Sequence, residues 1–243
     1  MSWLVIAGLG AAVLVGATTM RATGMGFALV SAPFLTLALG PFEGILVANV
    51  CGTVSALLNL TQVHHHVDWR RARFLIPAGV IGCVPGAVAV RLLPTAVLTI
   101  AVSIIVLVGL GIIVLARNLT LANSPVVAGA GGLASGFMNV TAGVGGPGLV
   151  IYAIATDWKH SSFAATAQVY FAVLGVAALT MKQALPSLSV SGWLVLAGAL
   201  GIGLLGGNVL APHIDPRTGM RLVIIIAAVG ASLSLAQGLA SLS

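Results

Sequence analysis

Apolar residues fill long, nearly continuous runs along the whole chain. Ten runs can be separated, five in each half, and most hold 17 to 23 residues. A helix of about 20 apolar residues crosses a hydrocarbon core roughly 30 Å thick. None of the runs alternates apolar with polar positions, and lipid tolerates only helices or closed barrels. The pattern predicts an all-α integral membrane protein with these segments: 3–20, 24–40, 44–62, 72–93, 95–117, 125–141, 144–156, 160–181, 189–211 and 218–240.

The second segment of each half is ambiguous. Residues 144–156 are too few to cross a bilayer upright, and the stretch before them is rich in glycine. The first two segments of each half are therefore compatible with two full spans, a re-entrant hairpin or one broken helix. We expect the first run to be retained rather than cleaved, because it lacks a preceding basic region and a clear signal-peptide cleavage site.

The two halves repeat one another. A constant offset of 119 residues pairs Gly24 with Gly143, Gly26 with Gly145 and Asn49 with Gln168. We predict a single transmembrane domain over residues 1–243, built from repeats 1–120 and 121–243, each with four to five transmembrane or half-membrane helices. Duplicated membrane halves with Gly-rich interruptions at matching places are typical of transporters whose site lies between the halves.

The basic residues predict that the second repeat is inverted. Short cytoplasmic loops collect Lys and Arg. If each segment crosses once and the loop of Arg70–Arg73 is inside, eight of the ten basic residues fall inside. Only Arg91 and Lys182 then fall outside. Five crossings per half is an odd number, so the halves have opposite orientations and both termini lie outside.

Composition excludes several classes of function. The chain is 59% apolar and 6% charged, with a mean hydropathy of +1.17, so it is not a soluble domain. Its net charge of +6 comes from dispersed loop residues, and we expect no nucleic-acid binding. The four carboxylates all suit helix starts, which makes a mid-membrane proton relay unexpected: Glu43, Asp68, Asp157 and Asp215. No catalytic triad, phosphate loop or spaced metal-ligand set occurs, so we expect neither an enzyme nor a metal or other cofactor.

The glycine-rich interruptions are the first candidate site. Glycine at a helix break frees backbone N–H groups and allows close approach, and a half-helix that begins there directs those groups at an anion. Close helix packing across small residues is the alternative explanation. The predicted substrate-binding residues of the two interruptions are Thr23, Gly24, Gly26, Thr141, Gly143, Gly145 and Gly146.

Two amide side chains inside apolar segments are the second candidate. Asn49 and Gln168 are repeat equivalents, and an amide in lipid must find hydrogen-bond partners. We expect them to meet near the axis between the repeats and to contact the substrate, with interhelical hydrogen bonding as the alternative. Tyr170 is included as a further binding residue, with Asn139 and Asn208 as secondary candidates. Asn59 and Gln62 lie near a segment end, where polar residues need no explanation.

Arg21 stands directly before the first interruption, with no carboxylate nearby in the sequence. It is either an ordinary loop arginine or a charge that attracts anions at the mouth of the site, and we include it among the predicted substrate-binding residues. The run His64–His66 suits a solvated loop better than a metal site, because three consecutive side chains face different directions.

Two short motifs support a family assignment. The form G-x-G-G-G-x-x-x-x-P is matched by Gly24, Gly26 and Pro33, with Phe27 and Ala28 in place of two glycines, and again from Gly143, with Pro147 and Tyr152 as departures. With the basic stretch D-W-R-R-A-R at 68–73, the chain resembles the sulfite exporter TauE/SafE family along essentially its whole length. The resemblance implies a bacterial inner-membrane permease for small, often sulfur-containing anions such as sulfite, sulfonates or sulfoacetate.

We therefore predict a secondary transporter that holds a small anion at mid-membrane between the glycine-rich interruptions. The alternatives are a channel or carrier for a small neutral solute and a membrane protein of assembly rather than transport. The expected partners are the anion and the lipid bilayer. A homodimer is compatible with the sequence.

Overall fold

The computed structural model describes residues 3–24, 26–115, 120–210, 213 and 216–241, and all regular elements among them are helical. The first half contains α1 (Trp3–Thr23), α2 (Phe27–Leu39), α3 (Pro41–Val63), α4 (Trp69–Leu92) and α5 (Thr95–Leu115), with a 3₁₀ turn at His64–His66. The second half contains α6 (Pro125–Ala142), α7 (Gly146–Ala155), α8 (His160–Lys182), α9 (Val190–Leu210) and α10 (Pro216–Ala240).

The lengths of these helices confirm the all-α membrane fold. Within the described residues, seven helices are long and apolar enough to cross a membrane: α1, α3, α4, α5, α8, α9 and α10. Helices α2 and α7 have only 13 and 10 residues. At 1.5 Å per residue they extend roughly 20 and 15 Å, which is less than the thickness of the hydrocarbon core.

The first two helices of each half form an antiparallel hairpin. Ser31 of α2 donates a hydrogen bond to the Ala12 carbonyl of α1 at 3.0 Å, while Phe27 lies beside Gly16. The contacts move backward along α1 as the chain advances along α2. Helices α6 and α7 are antiparallel in the same way, because Gly148 packs on Ser135 and Tyr152, further along α7, packs on Gly131, earlier in α6. The chain thus reverses at each glycine-rich interruption, so the alternative of one broken helix is wrong.

The two halves use equivalent helices to pack against one another. Helix α1 packs on α9 as α6 packs on α4, while α3 packs on α8 and α5 on α10. Helices α3 and α8 are the most buried of the seven long ones. They are antiparallel, because Phe42 lies near Lys182 and the Asp68 amide donates to Thr166. This exchange of contacts supports the duplication, while the inverted orientation in the membrane remains a prediction.

Basic residues separate toward two ends of the molecule. Arg71, at the start of α4, donates to Thr156 beyond α7 at 2.9 Å. Arg91, near the other end of α4, donates to the Met181 carbonyl next to Lys182 at 2.7 Å. About 20 helical residues separate these two ends by roughly 30 Å. The groups that the sequence assigns to opposite membrane faces therefore lie at opposite ends of one helix.

The carboxylates follow the expected pattern in part. The Asp68 side chain caps α4 by accepting from the Arg71 amide at 3.1 Å, and Glu43 lies in the first turn of α3. Asp157, in contrast, lies in the turn before α8 with φ +45°, and Lys159 is the residue that precedes the helix. The expectation that Asp157 begins a helix is wrong. Asp215 lies outside the described residues.

Candidate functional site

Both glycine-rich interruptions border one cavity between the halves. Gly26 of the first and Gly143 and Gly146 of the second lie on its wall. The space open to the centres of water molecules is about 40 Å³, whereas one water needs roughly 10–15 Å³ on this measure. The cavity therefore has room for about three waters or one small anion. The other wall residues are Met20, Phe27, Ala28, Leu29, Ala48, Asn49, Gly52, Thr53, Asn139, Phe171 and Gly175.

The first interruption turns the start of α2 toward this cavity. Gly24 and Gly26 have φ values of +76° and +117°, which glycine adopts without steric cost. No described side chain caps α2, and its first intrahelical bond runs from the Val30 amide to the Gly26 carbonyl at 3.0 Å. The amides of residues 27–29 therefore have no intrahelical partner. All three residues line the cavity, which places the positive end of the helix dipole there.

The second interruption offers fewer donors. Gly143, with φ +70°, ends α6, and its amide donates to the Asn139 carbonyl at 2.9 Å. Gly145 precedes α7 without a side-chain cap, and its carbonyl accepts from the Ser135 hydroxyl at 2.6 Å. Pro147, in the first turn of α7, has no amide hydrogen. The half-helix of the second repeat thus presents a weaker set of donors than α2 does.

Each interruption packs against the third helix of the opposite half. A methyl group added at Gly24 would lie 2.6 Å from the Ala164 Cβ of α8. One added at Gly143 would lie 3.4 Å from the Ile45 Cγ2 of α3. Ile45 and Ala164 are equivalent at the 119-residue offset, as are the two glycines. The duplicated sequence positions therefore make duplicated contacts, with a closer fit around Gly24.

Asn49 joins the cavity to the second half. Its side chain exposes 4% of its surface and lies on the cavity wall. Its Nδ2 donates to the Ile45 carbonyl at 3.0 Å, and its Oδ1 accepts from Asn139 Nδ2 at 3.3 Å. Asn139 also lies on the wall and donates to the Leu174 carbonyl at 3.4 Å. The secondary candidate Asn139 is thus the direct partner of Asn49.

Gln168 lies away from the cavity wall. Its Nε2 donates to the Gly24 carbonyl at 2.8 Å and to the Ala164 carbonyl at 3.1 Å, while its Oε1 is buried without a partner among the described residues. The expected meeting with Asn49 does not occur in this structure. Both amides lie eight residues into helices of 23 residues, and because α3 and α8 are antiparallel, the two lie at depths that differ by about six residues, or roughly 9 Å.

Arg21 is held by three amide side chains. Its guanidinium donates to Asn59 Oδ1 at 2.5 Å, and also to Gln62 and Asn208. Among the described residues, Arg71 forms an ion pair with Asp68 at 3.4 Å, whereas Arg21 has no carboxylate partner. It follows Met20, a wall residue, in the sequence. Arg21 is therefore an uncompensated positive charge beside the cavity, although its head group is not on the wall.

The wall as a whole presents hydrogen-bond donors without a negative charge. One amide hydrogen of Asn49, the Thr53 hydroxyl and the first-turn N–H groups of α2 border the cavity, whereas both amide hydrogens of Asn139 are used within the protein. None of the described wall residues is Asp or Glu. Because helix N-termini and neutral donors stabilise negative charge, an anion is the ligand class that this arrangement suits.

Comparison with known proteins agrees with this chemistry. Residues 8–235 match the family described as "Sulfite exporter TauE/SafE". The chain belongs to this family. The resemblance inferred from the glycine motifs is confirmed, and the chain is a multi-pass membrane transporter of sulfite or related anions. No curated protein and no solved structure matches it significantly.

The departures from the first of the two TauE/SafE motifs lie at the cavity. Phe27 and Ala28, which replace two motif glycines, both contribute to the wall. The ring of Phe27 packs against Gly52, where an added methyl group would lie 3.4 Å from the ring. This chain therefore has a bulkier first interruption than the family pattern indicates.

Two predicted binding residues point elsewhere. The Thr141 hydroxyl donates to the Phe137 carbonyl at 2.6 Å, and its methyl group faces Gly86 of α4. The Tyr170 hydroxyl donates to the Gly132 carbonyl at 3.0 Å. Neither residue lies on the cavity wall, and both stabilise packing with α4 and α6. The side chain of Thr23 lies outside the described residues.

Sequence reasoning missed part of the polar surface of α3. Asn49 and Thr53 lie one turn apart on the cavity wall, and Asn59 and Gln62 lie one turn apart further along α3, where they bind Arg21. Thr53 lies on the wall with its hydroxyl buried and without a partner in the described structure. Asn59 and Gln62 are not ordinary residues of a segment end, as the sequence suggested, because both accept hydrogen bonds from the Arg21 guanidinium. The spacing of three or four residues within each pair was the available signal.

Proposed function

We propose that this TauE/SafE protein is a secondary transporter that carries a sulfur oxyanion of about the size of sulfite through the cavity. The observation that carries the proposal is the convergence of two uncapped half-helix N-termini, Asn49 and Thr53 on a space whose described wall holds no carboxylate. Donors without full charges suit an anion that must bind and then leave. Arg21 provides a positive potential near the same space, which raises the local concentration of anions.

The cavity volume favours the smallest substrates of the family. Space for about three waters suits an anion of a few heavy atoms such as sulfite. Sulfoacetate carries an additional carboxylate arm, which the rings of Phe27 and Phe171 would oppose. We therefore rank sulfite above sulfoacetate and larger sulfonates as the substrate of this chain.

The duplication supports an alternating-access mechanism with inverted repeats in the bacterial inner membrane. Each half carries a short hairpin against the third helix of the other, so movement of one half would open the cavity toward one side. Reporter fusions in the loops after α3 and after α8 test the arrangement. We expect the Arg70–Arg73 loop inside and residues 183–189 outside, and the same side for both loops would contradict the inversion.

The membrane potential can drive export without a proton relay. Moving one negative charge outward across an inside-negative membrane gains roughly 2.3 kcal/mol per 100 mV. A monoanion such as hydrogen sulfite would therefore leave the cell down this gradient, and no carboxylate in the described part of the site is needed for coupling.

Flux measurements in proteoliposomes test the proposal directly. Labelled sulfite should move in response to an imposed potential, and unlabelled sulfite should compete better than sulfoacetate, while an uncharged solute of similar size should not compete. Transport of the neutral solute with no effect of the potential would overturn the anion proposal in favour of the neutral-solute alternative. Equal competition by sulfoacetate would contradict the ranking by size.

A further inference from the structure

Lys182 is unlike the other basic residues of the chain. Among the basic side chains that the structure describes, it alone is buried, with 5% of its surface exposed. Its Nζ has no hydrogen-bond partner among the described residues. Lysines near helix ends usually extend their amine to water, and an unpaired buried charge is strongly unfavourable. The burial of this ammonium therefore calls for a partner that is not a residue described in the structure.

The neighbours of Lys182 do not provide that partner. Phe42 is the ring nearest to Nζ, at 6.0 Å from its centroid. The adjacent Glu43 accepts from the Ser187 hydroxyl at 3.0 Å and from its amide at 3.2 Å, and it forms no ion pair with Lys182. Arg91, at the same end, donates to the Met181 carbonyl. No described carboxylate compensates the ammonium.

Helix α8 connects Lys182 to the cavity. Phe171, Gly175, Ala178 and Lys182 recur at helical spacing and share one face. Phe171 and Gly175 lie on the cavity wall, and Lys182 is two turns beyond Gly175, at roughly 10 Å along the helix. The equivalent face of α3 leads from Gly52, also on the cavity wall, past Asn59 to Arg21. Each of the two central helices thus leads from the cavity to one positive charge, at opposite ends of the molecule.

We propose that Lys182 forms a second anion-binding station, between the cavity and the end of the molecule that carries Arg91. This inference rests on the proposed function, because the ligand would be the transported sulfur oxyanion on its way through that end. The anion would supply the charge partner that Nζ lacks. A favourable interaction with the last carbonyls of α8 is the purely structural alternative.

Exchange measurements in membrane vesicles of both orientations test the second station. Lys182→Met should raise the half-saturating sulfite concentration about tenfold or more when sulfite is added on the Lys182 side, since hydrogen bonds to charged groups contribute on that order. Sulfite added on the opposite side should show less than a twofold change. Lys182→Arg keeps the charge and should restore most of the affinity. Arg91→Met is the matched control, an exposed cation at the same end, and should leave both values near wild type.

The outcomes separate this inference from the proposed function. Normal sulfite exchange by the wild type, together with equal half-saturation on both sides in Lys182→Met, would overturn the second station alone. The same side-specific shift in Arg91→Met would also overturn it, because general surface charge would then explain the effect. Absence of any sulfite exchange in the wild type would remove the proposed function and the inference together. Lys182→Gln serves in the same assay if the methionine variant does not fold.

Discussion

The two halves of the molecule place different side chains around one cavity. Asn49 lies on the wall, whereas its equivalent Gln168 binds the carbonyl of Gly24. Thr53 lies on the wall, whereas its equivalent Ala172 does not lie on the wall. The first half thus provides most of the side-chain donors, and the second half mainly provides packing surface.

The aromatic wall residues show a complementary pattern. Phe27 of the first half corresponds to Gly146 of the second, and Phe171 of the second corresponds to Gly52 of the first. All four lie on the wall. At each pair of equivalent positions, one half has an aromatic ring and the other has glycine. The space between the halves therefore holds two rings, and rings at all four positions would overfill it. The two predicted repeats therefore place an asymmetric set of side chains around the cavity, because their equivalent positions differ in size and polarity.

The largest expected effect distinguishes the two interruptions. Gly24→Ala should destabilise the protein more than Gly143→Ala. Both substitutions impose a left-handed conformation that costs roughly 1–2 kcal/mol, but only the Gly24 methyl would lie 2.6 Å from Ala164. Overpacking of this kind adds about 1–3 kcal/mol. Unfolding midpoints of the purified variants in detergent measure the difference.

Gly40 provides the control for backbone strain alone. Its φ is +82°, and a methyl group there would meet nothing within 4 Å. Its ψ of 164° lies in a region that only glycine adopts readily, so Gly40→Ala should lose stability through backbone strain without any new contact. If Gly24→Ala is no less stable than Gly143→Ala, the first interruption is not packed tightly against α8, and the contrast between the two interruptions is wrong.

The sequence predicted the helices better than it predicted their contacts. Long apolar runs and the 119-residue offset depend on local composition, which is why the ten segments and the glycine positions lie close to the observed helices. The partner of Asn49 depends on the relative depth of two antiparallel helices, and this depth cannot be predicted from the composition of either segment alone. The same reason explains why Tyr170, equally polar and equally central in the sequence, packs against Gly79 and Gly132 instead of the cavity.

The second prediction compares the two equivalent amides. Asn49→Ala should weaken sulfite binding about 10- to 100-fold, because losing a hydrogen bond to a charged ligand costs roughly 1.5–3 kcal/mol. Gln168→Ala should mainly lower the unfolding midpoint, since it leaves the Gly24 carbonyl without the 2.8 Å bond from Nε2. Sulfite affinity and stability measured on the same purified variants separate the two effects.

Equal losses of affinity in both variants would change this comparison. Such a result would show that Gln168 also reaches the substrate, as its equivalence to Asn49 predicts, in a conformation other than the one described. Unchanged affinity in a well-folded Asn49→Ala variant would instead remove Asn49 from the site and leave it as a packing residue joined to Asn139.

The smallest expected effect concerns Thr53, which occupies the position equivalent to Ala172 of the other half. Thr53→Val keeps the shape of the side chain and removes a buried hydroxyl that has no partner among the described residues. Since an unsatisfied buried hydroxyl is unfavourable, the variant should be as stable as wild type or more stable. If the hydroxyl donates to the bound anion, sulfite affinity should fall about threefold to tenfold, near the lower end for hydrogen bonds to charged groups.

Thr36→Val is the control for this prediction. The buried Thr36 hydroxyl donates to the Pro33 carbonyl at 2.8 Å, and Thr36 does not lie on the cavity wall. This variant should lose stability and keep its affinity for sulfite. A Thr53→Val protein with lower stability and unchanged affinity would show that the hydroxyl serves the fold, and the polar contribution of the first half would then reduce to Asn49 and the amides of α2.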